Sequence, residues 1–265
     1  MLMRIFSRLV AVLAAAVFAQ TASARAESWL ISSETDFPPY NYYQGAQFKG
    51  IDTEIVRLIV TELGYKPVFV QLPWKRVVQS VESNEVDLGY QFVGTKERFE
   101  KFRMVGPFRN GVTTLMFPAD SNIEFQSVDD LTGLVIGTVR GYAYAPEFDK
   151  ADHVSKEEAT DNETNVRKLA AGRLHAIVGD RDTLAFLAAR LGYSGKFKFA
   201  EEPLAVVPRY VAFPKERAEA AKAFQAMLDQ KISDGAVDAI INKYTTIQVS
   251  QLPQQADEAI VQTSR

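Results

Sequence analysis

The sequence has no cysteine and only two histidines. Without cysteine there is no disulfide bond, and no lipid can be attached to an N-terminal cysteine to tether an exported protein. His153 and His175 do not stand at a metal-ligand spacing, and no P-loop, dinucleotide fingerprint or G-x-S-x-G motif occurs. His175 falls on a predicted strand, where a structural role fits best. These absences disfavour metal and nucleotide chemistry, and we expect no cofactor.

A long apolar run occurs only near the N-terminus, where Arg4 and Arg8 precede the run Leu9–Ala19. A basic start, an apolar stretch too short to span a bilayer, and small residues at A-x-A spacing between positions 22 and 26 are typical of a secretory signal. We predict a cleaved signal peptide over residues 1–26; the alternative is an uncleaved membrane anchor. An exported protein without a lipid tether needs a second barrier to retain it, which predicts a Gram-negative periplasm.

An excess of basic charge is also lacking, since 30 lysines and arginines stand against 33 aspartates and glutamates. Removing residues 1–26 takes away three arginines and no acids, which moves the formal net charge from −3 to −6 and leaves 239 residues. Nucleic-acid binders carry basic patches, so a nucleic-acid partner is disfavoured, as is an anionic membrane surface. The remaining length suits one large or two small domains, and we expect a monomer.

The first half of the chain alternates strand and helix patterns. Apolar residues at helical spacing follow Ile51 and end at Gly64, and a second helical pattern begins at Trp74. Three β-rich runs flank these patterns, at Ser28–Ser33, Pro67–Leu72 and Val86–Phe92. A β-α-β-α-β order predicts a mostly parallel sheet with helices on its faces.

The same alternation returns in the second half with different residues. Predicted strands and helices follow one another at Leu134–Val139, Asn162–Ala171, His175–Gly179, Arg181–Leu191 and Lys196–Glu201. Two α/β units of this kind predict two lobes, each with a mostly parallel sheet flanked by helices.

Two extended runs, Thr113–Phe117 and Tyr210–Phe213, would carry the chain out of the first lobe and back as hinge strands. The helical patterns Ala218–Ile232 and Ala236–Tyr244 have no strands of their own, so they must pack on an existing sheet. Solutes bind in clefts between such lobes. The predicted boundaries are 27–115 and 212–247 for lobe one, 116–211 for lobe two, and 248–265 for a polar tail.

Short motifs recur over residues 28–246 in the order and spacing of one family. They include Phe37-Pro38-Pro39-Tyr40, Gly50-Ile51-Asp52, Thr95-Lys96-Glu97-Arg98, Gly106-Pro107-Phe108, Asp130-Leu131-Thr132-Gly133 and Ala171-Gly172-Arg173-Leu174. In these motifs the chain resembles family 3 of the bacterial extracellular solute-binding proteins. The resemblance implies a two-lobed type II periplasmic-binding fold. It also implies a periplasmic receptor of an ABC importer, which closes around an amino acid or a related small polar solute.

The two charges of a free amino acid each need a partner in a closed cleft, because burying an unpaired charge is costly. The planar fork of arginine suits a carboxylate, and the resemblance assigns this role to Arg98 of the T-x-x-R motif. It assigns the ammonium to Asp180, at the end of a predicted strand. The alternatives are a surface ion pair for Arg98 and a helix cap for Asp180.

Four further candidates lie near the first strand and the second helix. Trp74 falls where the family often places a ring over the ligand, although its helical spacing with the valines that follow also fits core packing. Glu34 and Phe37 follow the first strand at positions where the family has cleft residues. Tyr40 lies in the loop after them and could serve only to shape the turn.

Two segments depart from the family pattern. Small residues usually precede the T-x-x-R motif, but Tyr90-Gln91-Phe92-Val93-Gly94 stands here. Gly141-Tyr142-Ala143-Tyr144 replaces the Gly-Ser or Gly-Thr that usually grips an anion at a helix N-terminus. Gln91 and Tyr142 therefore join the candidate ligand contacts. We expect a pocket more aromatic than that of a standard amino-acid receptor, which keeps opines, small carboxylates and aromatic metabolites as alternative ligands.

Two other functions stay open. The same lineage includes cyclohexadienyl dehydratases, in which Glu34 or Asp180 could act as a general acid. A sensory receptor would instead dock on a signalling protein. The favoured function is a receptor without enzymatic activity, whose ligand-biased closed form is read by an ABC permease in the inner membrane.

Overall fold

The computed structural model describes residues 27–251, with side chains described as far as Tyr244. The predicted signal peptide, residues 1–26, lies outside the described residues, as does the predicted tail from residue 252 onward. Within the described part, no helix combines the length and the apolar character that crossing a membrane requires.

The described chain alternates strands and helices along most of its length. The strands are β1 (Ser28–Glu34), β2 (Tyr42–Gln44), β3 (Gln47–Lys49), β4 (Lys66–Leu72), β5 (Leu88–Val93), β6 (Arg103–Pro118), β7 (Val135–Val139), β8 (Ser155–Ala159), β9 (Ala176–Asp180), β10 (Phe197–Phe199) and β11 (Ala205–Phe213). The helices are α1 (Ile51–Glu62), α2 (Trp74–Glu82), α3 (Lys96–Lys101), α4 (Pro146–Lys150), α5 (Asn162–Ala170), α6 (Arg181–Arg190), α7 (Ala218–Ser233) and α8 (Ala236–Gln251), with a 3-10 turn at Val128–Leu131.

Across the described residues, the strands other than the β2–β3 hairpin form one sheet of nine. Its order is β4-β1-β5-β11-β6-β9-β7-β8, and β10 pairs with β6. Strands β4, β1 and β5 are parallel, and so are β9, β7 and β8. The central strands β6 and β11 run antiparallel to each other and to their outer neighbours. Two small parallel sheets are therefore joined by two long connecting strands.

Helix α1 shows how local sequence positions the cleft. Gly50 precedes it with φ +131°, and a Cβ at this position would lie 2.2 Å from the backbone oxygen of Tyr40. Only glycine allows this approach, which lets the amides of Ile51 and Asp52 bond the carbonyls of the preceding loop. The apolar face of α1, with Ile55 and other fully buried residues, holds that loop against the sheet.

The buried side chains divide into clusters on either side of the central strands. Two clusters draw their buried members from residues 29–108 and 211–244. Two others draw theirs from residues 115–200. Tyr142 packs against clusters from both sides. The interior therefore has two separate centres, with aromatic contact between them.

The predicted α/β architecture is confirmed, but several element lengths differ from the prediction. Strand β6 begins at Arg103 instead of Thr113, because pairing with β11 holds a segment that contains proline and charged residues as a strand. Strand β8 was not predicted; it lies at the sheet edge, and only Ala159 of its five residues is buried. Helix α8 extends to Gln251, past the predicted end at Tyr244.

Candidate functional site

A small cavity lies where the ends of β1 and β5 face the loop after β7. Its volume is about 20 Å³, enough for about one water molecule. The lining consists of Glu34, Phe37, Trp74, Gln91, Val93, Arg98, Tyr142, Ala143 and Arg209. Six of the eight residues predicted to contact the ligand therefore line this cavity. Tyr40 and Asp180 lie elsewhere.

Glu34 ends strand β1 with a buried carboxyl group. The Tyr142 hydroxyl donates a hydrogen bond to its Oε2, whereas Oε1 has no hydrogen-bond partner among the described residues. The pKa of Glu34 is raised to about 8, mainly by burial; the Tyr142 bond opposes this rise, and the nearby charges of Asp161 and Asp36 add to it. Glu34 is therefore an acid that stays largely uncharged at neutral pH until a cation approaches it.

Arg98 lies in the short helix α3, which Thr95 caps by accepting from the Arg98 backbone N–H. Its guanidinium donates to the backbone oxygens of Val93 and Gly141, each at 3.1 Å. The side chain is 8% exposed, and no carboxylate of the described residues lies within 4 Å of it. Burial, with the like charge of Arg209, lowers the pKa of Arg98 to about 10. A bound anion would pair with the guanidinium and so offset the cost of burying its charge and the repulsion from Arg209.

Trp74 begins helix α2 and is both a core residue and a cavity wall. Its ring packs in one buried cluster and also stands edge-on to the ring of Tyr142, with centroids 5.8 Å apart. Its indole Nε1–H donates to the Gly141 oxygen at 2.9 Å. The Arg98 guanidinium lies 5.5 Å from the same ring. The two alternatives weighed for Trp74, core packing and ligand wall, are thus compatible.

Gln91 reaches the cavity because of a β-bulge. It has φ +74°, a conformation that non-glycine residues rarely adopt, where the register between β5 and β11 shifts. Its amide nitrogen donates to the side chains of Asn41 and Asp52, which leaves Oε1 buried without a partner beside the cavity. Strained residues held by their surroundings cluster at binding sites, which is consistent with the prediction of Gln91 as a ligand contact.

Asp180 and Tyr40 make contacts outside the cavity lining. One oxygen of Asp180 caps helix α6 through the Thr183 N–H at 3.3 Å, and the other lies 3.6 Å from Arg209 without a hydrogen bond. Burial raises the pKa of Asp180. The Tyr40 hydroxyl donates to Asp182 at 3.0 Å, across the gap between the two halves of the sheet. The helix cap, given above as the alternative for Asp180, is present.

Arg209 is the charged cavity residue that sequence reasoning missed. It lies on β11 and is 7% exposed, with Nε buried and unbonded. Burial lowers its pKa, against the favourable charge of Asp180. A signal existed, since Arg209 is the one charged residue within Ala205–Phe213. The pattern alone does not say which face of a connecting strand is buried.

A wider groove continues outward from the cavity. Its volume is about 920 Å³, and it is bordered by the start of α3 and by residues 138–150. Val93, Arg98, Tyr142 and Ala143 line both spaces. The groove can hold a small solute and the cavity cannot, and Arg98 and Tyr142 lie at the border between the two.

A model of one protein family, described as bacterial extracellular solute-binding proteins, family 3, matches residues 30–247. The chain belongs to this family. The match covers both halves of the sheet and the two connecting strands, so the resemblance drawn from the short motifs is confirmed.

Named relatives of this solute-binding protein are similar over most of their length. YxeM of Bacillus subtilis (strain 168), a "probable amino-acid-binding protein", is 25% identical over 214 residues, which cover 78% of this chain and 79% of YxeM. The crystal structure of the substrate-binding protein of an amino acid ABC transporter superposes with a TM-score of 0.73 at 20% identity, over 83% of this chain and 99% of the other.

A histidine kinase sensor domain with similarity to periplasmic binding proteins superposes equally well. The TM-score is 0.76 at 19% identity, over 83% of this chain and 96% of the sensor domain. At such identities the solved structures establish the fold alone. They confirm the predicted type II periplasmic-binding fold.

Proposed function

We propose that this family member captures an amino acid or a closely related solute and presents it to an ABC permease. The observation that carries the proposal is Arg98, a buried guanidinium beside a cavity without a carboxylate partner among the described residues. A solute carboxylate would supply the missing charge, through the paired N–H groups of the arginine. YxeM and the ABC-transporter protein, both named for amino acids, support the same function.

In this proposal residues 27–115 and 212–247 form lobe one, residues 116–211 form lobe two, and β6 and β11 are the hinge. The division of the buried clusters supports these boundaries to within a residue, since Leu115 packs with the lobe-two cluster and Val211 with the lobe-one cluster. Contacts across the cleft would report closure. They are the bonds of Trp74 and Arg98 to the Gly141 oxygen and of Tyr40 to Asp182.

The solute would bind lobe one first, with its carboxylate on Arg98. Glu34 lines the same cavity and is the acid best placed for the solute ammonium; a cation there would hold it as a carboxylate. Asp180, predicted for this role, would reach the solute only if Arg209 moved, because their side chains face each other. Phe37, Trp74 and Gln91 would complete the contacts. Lobe two then adds contacts that exist only in the closed form, which shifts the hinge equilibrium.

The cellular setting belongs to the same proposal. The receptor would be exported by its predicted signal peptide, act as a monomer in the periplasm and meet its permease at the inner membrane. The receptor would close around its solute without converting it, whereas a cyclohexadienyl-dehydratase-like enzyme would convert it.

A ligand screen tests this function. The protein is unfolded and refolded to remove carried solute, then screened by thermal shift with the common amino acids, opines, organic acids and prephenate. A solute that binds only the folded state raises the melting temperature. We expect an amino acid to do so. No shift with any amino acid contradicts the proposal, and consumption of prephenate would establish the enzyme instead.

Arg98→Ala is the decisive variant. Removing one partner of a buried charge pair typically costs 2–5 kcal/mol, so affinity should fall by roughly thirtyfold or more in calorimetry. Arg76→Ala, on the exposed side of helix α2, is the matched control and should bind as the wild type does. Equal affinity in the Arg98 and Arg76 variants would remove Arg98 from the site.

A further inference from the structure

Tyr142 occupies a pocket made by residues from both halves of the sheet. Its ring stands edge-on to Phe37 and Trp74, at centroid distances of 6.3 and 5.8 Å. Its hydroxyl donates to Glu34 and accepts from the Asn162 side-chain amide at 3.3 Å. The phenol is therefore enclosed by aromatic walls and has hydrogen-bond partners at its far end.

The groups that hold this phenol are the ones that the proposed function assigns to the solute. Glu34 and the aromatic walls line the cavity, and with Tyr142 in place the cavity holds about 20 Å³. No amino acid fits into that volume. A solute that enters this cavity to reach Glu34 must therefore take over the space of the Tyr142 ring.

The loop that carries Tyr142 provides room for such a movement. Tyr142 lies in the stretch between β7 and α4, outside regular structure, and follows Gly141 with φ +81°. Tyr142 also borders the outer groove of about 920 Å³, so its ring could turn outward. The Gly141 oxygen is held by Trp74 and Arg98, which would anchor the base of the loop while the ring moves.

We propose that Tyr142 is an internal competitor of the solute, a specificity-determining residue that sets both the affinity and the size of solute accepted. The inference rests on the proposed function, because it takes the solute to bind at Glu34. Every solute must displace the same phenol, so the apparent affinity is lowered by the fraction of molecules in which the pocket is filled. Solutes unable to replace its hydrogen bond to Glu34 are rejected.

Calorimetry on the full mature chain, residues 27–265, tests the competition, with the common L-amino acids as probes. Tyr142→Phe removes the bonds that hold the ring in place. Since one hydrogen bond contributes about 0.5–1.5 kcal/mol, the best amino acid should bind about two- to tenfold more tightly. Tyr142→Ala opens the pocket and should also admit bulkier amino acids. Tyr43→Phe, at an exposed phenol, is the control and should change nothing. Equal or weaker binding in both Tyr142 variants overturns the proposal.

A second readout needs no solute. The chain has two tryptophans, so Trp29→Phe leaves Trp74 as the single reporter. In that background Tyr142→Ala should increase quenching of Trp74 by acrylamide, because the ring that covers it is gone, while Tyr142→Phe should not. Unchanged quenching overturns the proposal. If no amino acid binds any variant, the proposed function fails, and quenching still decides whether Tyr142 fills the pocket.

Discussion

Replacing Glu34 with glutamine should change how the stability of the protein depends on pH. Glutamine keeps the shape of the side chain and can accept from the Tyr142 hydroxyl, but it does not titrate. Glu34 is 4% exposed, and its pKa is raised by burial from 4.5 to about 8. The charged groups that act on it are Asp161 and Asp36, which raise the pKa, and Arg209, which lowers it.

The sign of this pH dependence follows from the number of protons that the folded and unfolded states bind. Between pH 4.5 and about 8 the unfolded chain has released the Glu34 proton and the folded protein has kept it, so the folded state binds more protons. The contribution of Glu34 is therefore fully present below pH 4.5 and is lost as pH rises through about 8. The slope is about 1.4 kcal/mol for each pH unit, which amounts to roughly 5 kcal/mol over the whole window.

Urea unfolding at pH 5, 6, 7 and 8 measures the effect for the wild type and for Glu34→Gln. The free energy of unfolding of the wild type should fall more steeply than that of the variant, by about 1.4 kcal/mol per pH unit. Tyr142→Phe provides a second test, because the direction in which it should shift the pKa of Glu34 is known. The Tyr142 bond lowers the pKa of Glu34, so its loss should extend the steep region to higher pH. Parallel curves for wild type and Glu34→Gln would refute the reasoning.

Two further predictions concern stability. Arg109 and Asp52 form a buried ion pair with bonds of 2.6 and 2.7 Å, so Arg109→Ala should lower the free energy of unfolding by about 3–5 kcal/mol in urea titrations. Arg140 pairs with Glu158 at the surface, where both side chains are about half exposed, so Arg140→Ala should lower the free energy of unfolding by about 1 kcal/mol or less. Equal losses in the Arg109 and Arg140 variants would contradict the difference in burial between the two pairs. Gly50→Ala should lower the melting temperature far more than Gly64→Ala. Both have positive φ, but a Cβ meets backbone 2.2 Å away at Gly50 and nothing within 4 Å at Gly64.

The order of strands and helices could be predicted from the sequence because it depends on local patterns. Helix α1 has apolar residues at helical spacing and ends near Gly64, which has φ +87°. Strand β8 and the first part of β6 escaped prediction, since their strand conformation comes from pairing with distant partners and not from an apolar alternation of their own.

The residues of the candidate site, too, were predicted where a local motif marks them and missed where their burial depends on distant partners. Family motifs pointed to Arg98, Trp74, Glu34 and other residues that now border one cavity. They could not exclude Asp180 from that lining, because an acid at a strand end can face a cleft or cap the next helix, and here it caps. The motifs also passed over Arg209, whose burial depends on the packing of β11 between β5 and β6.

The sequence by itself determined the residue types, their order and the family, because each is carried by local pattern and spacing. Only the tertiary structure decided where those side chains point. It placed the Tyr142 phenol against Glu34, 108 positions away in the chain, and aimed Gln91 into the cavity through a bulge opposite β11. Such contacts arise from the packing of one half of the sheet against the other, which no single segment encodes.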